Sequence, residues 1–232
     1  FSAIEPFLKT QASKQSLLDY LRFSLVEEFK VEDLTVMTID YTGAPTPAHN
    51  CIKFNIVSTK LNGVITDANK NNLIIKKESG DILSYRIEGG GTGNELKIFG
   101  IDSTKDALLK IYYSETITSF ESGSGGCRQV DDSSFTIGSV VEEQSQILQS
   151  NILALKTKYE LDCGQTIKTE FGIPKGNEFT FSFELTGGTT IEPDINACGG
   201  IPNTNVYATT FPLQYLDGDA NYQIGFLTIK VW

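Results

Sequence analysis

Hydrophobic and polar positions alternate with two different periods along this chain, and the change between them outlines the fold. Residues 13–30, SKQSLLDYLRFSLVEEFK, carry the clearest helical pattern. Leu18, Leu21, Leu25 and Phe29 fall at i, i+3, i+7 and i+11, one face of a helix of period 3.6, and Leu17 widens the stripe. Two readings fit such an amphipathic helix. It docks on a sheet, or it is the lower end of a longer stalk and serves assembly. From Asp33 the period becomes two. LTVMTIDY places Leu34, Val36 and Thr38 on one face, and Val31, Thr35, Met37 and Ile39 on the other.

Short strand patterns follow in CIKFNIV, NNLIIKK, DILSYRIEG, NELKIFGI and ALLKIYYS. They are separated by turn signals in TGAPTP, LNG, ESGD, EGGGTGN and DSTKD. Short strands at this spacing predict an antiparallel sandwich or roll. SFESGSGGCRQVDDSS, residues 119–134, is rich in Ser and Gly and reads as a linker. FTIGSVVEE then predicts a strand, and ILQSNILALKTKYE a helix with Ile147, Ile152, Leu155 and Tyr159 near one face. A short helix in GQTIKTEFGI stops before Pro174, which cannot continue it. EFTFSFEL alternates with Phe179, Phe181 and Phe183 on one side. The last segment predicts two strands closing around DGDAN, with Leu227, Ile229 and Val231 on one face and Phe226 and Trp232 opposite.

The expected fold class is α+β and mainly β. It has antiparallel sandwich-like modules, an N-terminal amphipathic helix and a second helical insert before the C-terminal sheet. The expected partition is a helix over 1–33, a β-domain over 34–120, a linker over 121–134 and an α+β domain over 135–232.

Composition narrows the function. The 232 residues are 40% hydrophobic, enough for a sizeable core. A net charge of −10 argues against nucleic acid, whose phosphates need clustered cations. No stretch reaches the roughly 18 apolar residues that span a bilayer. The opening FSAIEPFLKTQASKQ lacks the features of a signal peptide. Any membrane attachment is therefore expected through an upstream anchor.

Cys51, Cys127, Cys163 and Cys198 form no C-x-x-C pair, so a zinc framework is not expected. An even count fits an oxidising compartment; buried free thiols are the alternative. Of the three pairings that four cysteines allow, the favoured one keeps each bridge within one half: Cys51 with Cys127, and Cys163 with Cys198.

Candidate chemistry is sparse. His49 is the sole histidine and lies in a turn pattern, with no cue linking it to a nucleophile. Ser124 misses the nucleophile-elbow pattern because Ser122 stands where its first Gly belongs. Asp217, Asp219 and Asn221 open a calcium-loop pattern that Tyr222 and Thr228 break, and a hairpin turn explains them better. The glycines at 89, 90, 91 and 93 precede a strand pattern rather than a helix, so they read as a hairpin loop and not a phosphate cradle. Acidic pairs at Glu27–Glu28, Asp131–Asp132 and Glu142–Glu143 read as surface rather than as a glycosidase site. No catalytic residue, metal or cofactor is expected. Strand aromatics are the better lead, with Tyr85, Tyr112, Tyr113 and Tyr222 the candidates to face a ligand. Ordinary strand packing is the competing reading.

Two stretches carry resemblances. Residues 71–115, with Ser84-Tyr85-Arg86-Ile87-Glu88 and Leu109-Lys110-Ile111-Tyr112-Tyr113, resemble a β-rich domain of secreted archaeal and bacterial proteins that sits beside lectin-like sandwiches. Residues 152–185 and 205–232 look like the soluble part of archaeal type IV pilin-like proteins. The second resemblance implies an extracellular or cell-surface, non-enzymatic structural or adhesive protein. Its partners would be further copies or other pilus subunits, and the helix at 13–30 would be the tail of an anchoring stalk. A carbohydrate-binding module, with glycans as ligand, is the alternative.

Overall fold

A computed structural model describes residues 4–40, 51–55, 71–90, 93–101, 108–114, 117, 127–129, 138–201 and 205–232. The elements are α1 (Ile4–Phe29), β1 (Lys30–Asp40), β2 (Cys51–Asn55), β3 (Leu73–Lys77), β4 (Tyr85–Gly90), β5 (Gly93–Phe99), β6 (Leu108–Tyr113), β7 (Arg128–Gln129), β8 (Gly138–Ile147), α2 (Gln149–Asp162), α3 (Gln165–Glu170), β9 (Phe179–Glu184), β10 (Thr190–Ile191), β11 (Tyr207–Leu216) and β12 (Tyr222–Val231). The fold is α+β and mainly β, as the periodicity predicts.

The chain forms two compact units. One is Glu32–Ser145, and the other joins Phe1–Val31 to Gln146–Trp232. This differs from the expected partition. The N-terminal helix belongs with the C-terminal unit, and most of β8 belongs with the β-domain. Apolar contact sets the grouping: the α1 stripe finds its cover on a sheet far away in sequence. Of the expected linker, only Cys127–Gln129 lies within the described residues.

The Glu32–Ser145 unit is a sandwich of two four-stranded sheets, ordered β3-β6-β1-β8 and β4-β5-β2-β7. Alternation turns one face of each sheet into a shared core. Met37, Ile39, Ile75, Leu109 and Ile111 come from the first sheet, and Ile52, Ile87, Leu96 and Ile98 from the second. In the centre, Ile111 lies between Met37 and Ile75 across the ladder. β4 and β5 pair antiparallel as far as Gly90 and Gly93, in line with the hairpin expected at these glycines. β7 runs parallel to β2 for two residues only. The Cys51–Cys127 disulfide, with Cα atoms 4.8 Å apart, holds it there, because Arg128 and Ile52 follow directly on the bridged residues.

Three expected ligand-facing residues are corrected by this packing. Tyr85, Tyr112 and Tyr113 are all buried. Tyr85 and Tyr113 point into the sandwich core. Tyr112 sits between Val36 and Ile74 on the neighbouring strands. Strand packing, and not a ligand platform, accounts for all three.

In the other unit, helices cover one face of an antiparallel sheet ordered β10-β9-β12-β11. Leu18, Leu21, Leu25 and Phe29 are buried, and Leu17 packs beside them. Each fully buried side chain contributes roughly 1.5–3 kcal/mol relative to exposure. The stripe named as an assembly element is thus used up in docking on the unit's own sheet. The Phe29 ring meets Phe181 and Phe183 edge-on, with centroids 6.0 and 6.2 Å away. Tyr159 packs edge-on against Phe179 and donates its hydroxyl to the Phe179 carbonyl at 2.6 Å. Burial pushes its phenol up to about 12. α2 ends at Cys163, in the left-handed region at φ 56°, followed by Gly164 at φ 75°. A Cβ on Gly164 would lie 2.6 Å from the Tyr159 ring, so only glycine fits that position.

Candidate functional site

The exposed surface to account for is the solvent face of the sheet β10-β9-β12-β11. Register defines it row by row. Pro212, Phe226 and Glu184 lie abreast, as do Thr210, Thr228 and Ser182, and then Ala208, Lys230 and Thr180. The Thr210 and Thr228 hydroxyls are 2.8 Å apart, which places both on one face. Gln214 lies beside Ile224, and Tyr222 follows at the hairpin end. The face is graded. Its hairpin end is apolar, with Ile224 61% exposed, Tyr222 46% and Phe226 45%. Its other end is hydroxyl-rich and carries Lys230.

The hairpin at the apolar end is built by Asp217. Its Oδ1 accepts the N–H groups of Asp219 and Asn221, both at 2.9 Å. Its Oδ2 accepts the side-chain amides of Asn221 and Gln223. Burial acts to raise this carboxyl, but the hydrogen bonds from Asn221, Asp219 and Gln223 outweigh it and hold the group below its ordinary value. Both oxygens are committed to the turn, in line with the hairpin reading. A hollow of about 310 Å³ beside it is lined by Gln149, Thr186, Tyr215 and Gln223. No cluster of three or more His, Cys, Asp or Glu able to hold a metal occurs among the described residues.

At the polar end the face runs into a cleft of about 330 Å³. One side is Thr180–Ser182 of β9. Its walls are Lys156 and Glu160 of α2, the 192–196 loop, Ile201 and Lys230. Two ties to α2 pin that loop. Glu160 Oε1 accepts the Asp194 N–H at 2.9 Å, and the Cys163–Cys198 disulfide closes behind it. Glu160 Oε2 accepts a hydrogen bond from Lys156 at 2.8 Å. That ammonium first, and the Asp194 N–H second, hold the Glu160 carboxyl below its ordinary range. Lys230 is half-buried and has no ion-pair partner among the described residues.

The structure brings together only some of the residues expected from sequence. Both favoured cysteine pairs are bridged, Cys51 to Cys127 and Cys163 to Cys198. Two disulfides belong to an oxidising environment, and among the described residues no helix is long and apolar enough to cross a membrane. Tyr222 is exposed, and Ile224 and Phe226 extend its row. His49, Ser124 and the Asp131–Asp132 pair lie outside the described residues. Ile224, Lys230, Glu160 and Pro193 carry no sequence motif. For Ile224 and Lys230 the one available signal was the alternation in β12, which opposes Phe226 to Leu227. No protein-family model matches the chain, and neither a curated protein nor a solved structure does.

Proposed function

We propose that this chain is the ectodomain of an extracellular, cell-surface structural or adhesive protein without enzymatic activity. In this reading it contributes to a filament or to surface attachment through the outer face of its C-terminal sheet. The observation that carries the reading is the row Tyr222, Ile224, Phe226 with Pro212 beside it, an exposed apolar strip that no helix covers among the described residues. Covering such a strip is favourable by roughly 25 cal/mol per Å² removed from water, and contiguous exposed apolar surface marks interaction sites. The two disulfides support an extracellular setting.

The occupant we assign is another protein chain, first of all a second copy. Ile224, the most exposed member of the row, is aliphatic and offers a sugar neither a hydrogen bond nor a stacking face. Burial of Tyr85, Tyr112 and Tyr113 removes three of the four aromatics that favoured a glycan ligand and leaves Tyr222. The acidic surface keeps copies apart at low ionic strength, and salt screens that repulsion.

Sedimentation velocity across a salt series tests this reading. Association should grow with salt in the parent chain and be lost in an Ile224→Ser/Phe226→Ser double variant. A parent that stays monomeric throughout, or a double variant that associates equally, would overturn the reading.

A further inference from the structure

β11 is an edge strand. It pairs with β12 on one side, and among the described residues no strand pairs along the other. The direction of its main-chain groups follows from register. Asp217 N–H donates to Asn221 O at 3.1 Å, one step beyond the Leu216–Tyr222 pair. Odd-numbered residues of β11 therefore bond to β12, and the N–H and C=O groups of Ala208, Thr210 and Gln214 point away from it. Leu216 uses that outer side to bridge Leu148. Ala208, Thr210, Pro212 and Gln214 are all exposed. On the helix-covered face Phe211 and Leu213 pack against the core yet stay only half-buried, whereas Phe181, Leu227 and Ile229 on the inner strands are buried. What the edge residues lack is lateral cover. Long edges are usually guarded by charge. YATTFPLQYL, the whole of β11, carries no charged residue in a chain of net charge −10. Its guard is Pro212, whose missing N–H falls on the outer side.

We infer that β11 pairs antiparallel with β11 of a second copy, about a twofold axis at Phe211. This rests on the self-association proposed above and adds a second contact to it. With Phe211 facing Phe211, Ala208 stands opposite Gln214 and Thr210 opposite Pro212 of the other copy. Every outer N–H then meets a carbonyl, and only the Thr210 C=O, opposite the proline, goes without. Sliding by one pair sets proline against proline, or carries Gln214 past the start of β11. Phe211 falls in a non-hydrogen-bonded pair, where side chains are closest, so the two half-buried rings cover each other. Antiparallel order also brings the Lys230 end of one sheet to the Asp217–Asp219 hairpin of the other. A twofold pair closes at two copies, and contact through the Tyr222–Phe226 strip links such pairs into a longer assembly. Main-chain bonds at an edge replace bonds to water. The edge pair alone is therefore weak, and forms above the concentrations at which the strip's association is read.

The test uses the full chain, ¹⁵N-labelled, in the Ile224→Ser/Phe226→Ser background, which keeps β11 and lacks the strip. The amides of Ala208, Thr210 and Gln214 should shift with concentration. At about 1 mM their hydrogen exchange should be about fivefold slower than on dilution, as for a dissociation constant of about 0.1 mM. Those of Thr209, Phe211 and Leu213, already bonded to β12, exchange slowly at every concentration and serve as reference. Ala208→Glu/Gln214→Glu sets like charges opposite each other and should weaken pairing about tenfold. Ala208→Glu/Gln214→Lys sets opposite charges there and should restore it. Outer amides that neither shift nor slow would refute the edge pair. Two charge variants that behave alike would refute its register. Sedimentation of the parent decides the strip independently. A parent without strip association, but with outer amides that respond to concentration, removes the strip reading and leaves the edge pair standing.

Discussion

The sandwich and the helix-backed sheet place their strand aromatics in opposite surroundings. In the sandwich two sheets face each other, and Tyr85 and Tyr113 are enclosed between them. In the helix-backed sheet the described residues of the same unit supply a covering layer on one face. Its β12 therefore buries Leu227, Ile229 and Val231 completely and leaves Ile224 and Phe226 in water. Aromatic or branched residues in strands are alike in propensity in both units. Whether a second layer covers them decides between core and interaction surface, and that layer comes from distant sequence.

Five changes would break or sharpen the comparison. The largest effect is expected from Cys163→Ser with Cys198→Ser. The bridge spans 35 residues, so losing it should cost about 4 kcal/mol by loop-closure entropy. Chemical denaturation followed by Tyr and Trp signals would read this, and an unchanged midpoint would refute the structural role. Next is Leu227→Ala on the covered face, expected to cost about 3 kcal/mol through the cavity left behind. Gly225→Ala follows at about 2 kcal/mol. A Cβ there would lie 2.4 Å from the Phe183 ring and 2.7 Å from the Glu184 carbonyl. The ring has little freedom to yield because Tyr215 packs edge-on against it, centroids 5.3 Å apart.

Acid should act more gently and on the hairpin. The Asp217 carboxyl is held below its ordinary value in the folded chain. Its contribution is therefore complete above the unfolded value and is lost as pH falls through the lowered folded one. Hydrogen exchange at Asp219 and Asn221 should quicken in acid below the ordinary carboxylate range, and Asp217→Asn should remove that pH dependence. The smallest stability effect is expected from Phe226→Ser, within about 0.5 kcal/mol. Phe226 and Leu227 are adjacent in sequence, so equal losses at the two would contradict the assignment of faces.

Much of the fold is legible in the residues themselves. The stripe Leu18, Leu21, Leu25 and Phe29 specifies a helix with one apolar face, and EFTFSFEL specifies a strand with three Phe on one side. Both are local periodicities, and the chain obeys them. The helix begins earlier than its stripe, at Ile4, because propensity continues where apolar spacing does not. The candidate site was legible only in fragments. Alternation in β12 set Phe226 opposite Leu227 but did not say which face would be covered. Nothing in EPDI, residues 192–195, announces that Pro193 would line one cleft with Phe181, since that depends on how separate segments come together.

By itself, then, the amino-acid sequence determined the periods of its elements, the acidic surface and the cysteines available for bridging. All of these are properties of neighbouring residues or of composition. Only the tertiary structure decided that the N-terminal helix covers the C-terminal sheet, that three tyrosines are core, and that Tyr222, Ile224 and Phe226 stay exposed. Those outcomes depend on which layer meets which, and the apolar contacts that settle it join residues more than a hundred positions apart, as between Phe29 and Phe181.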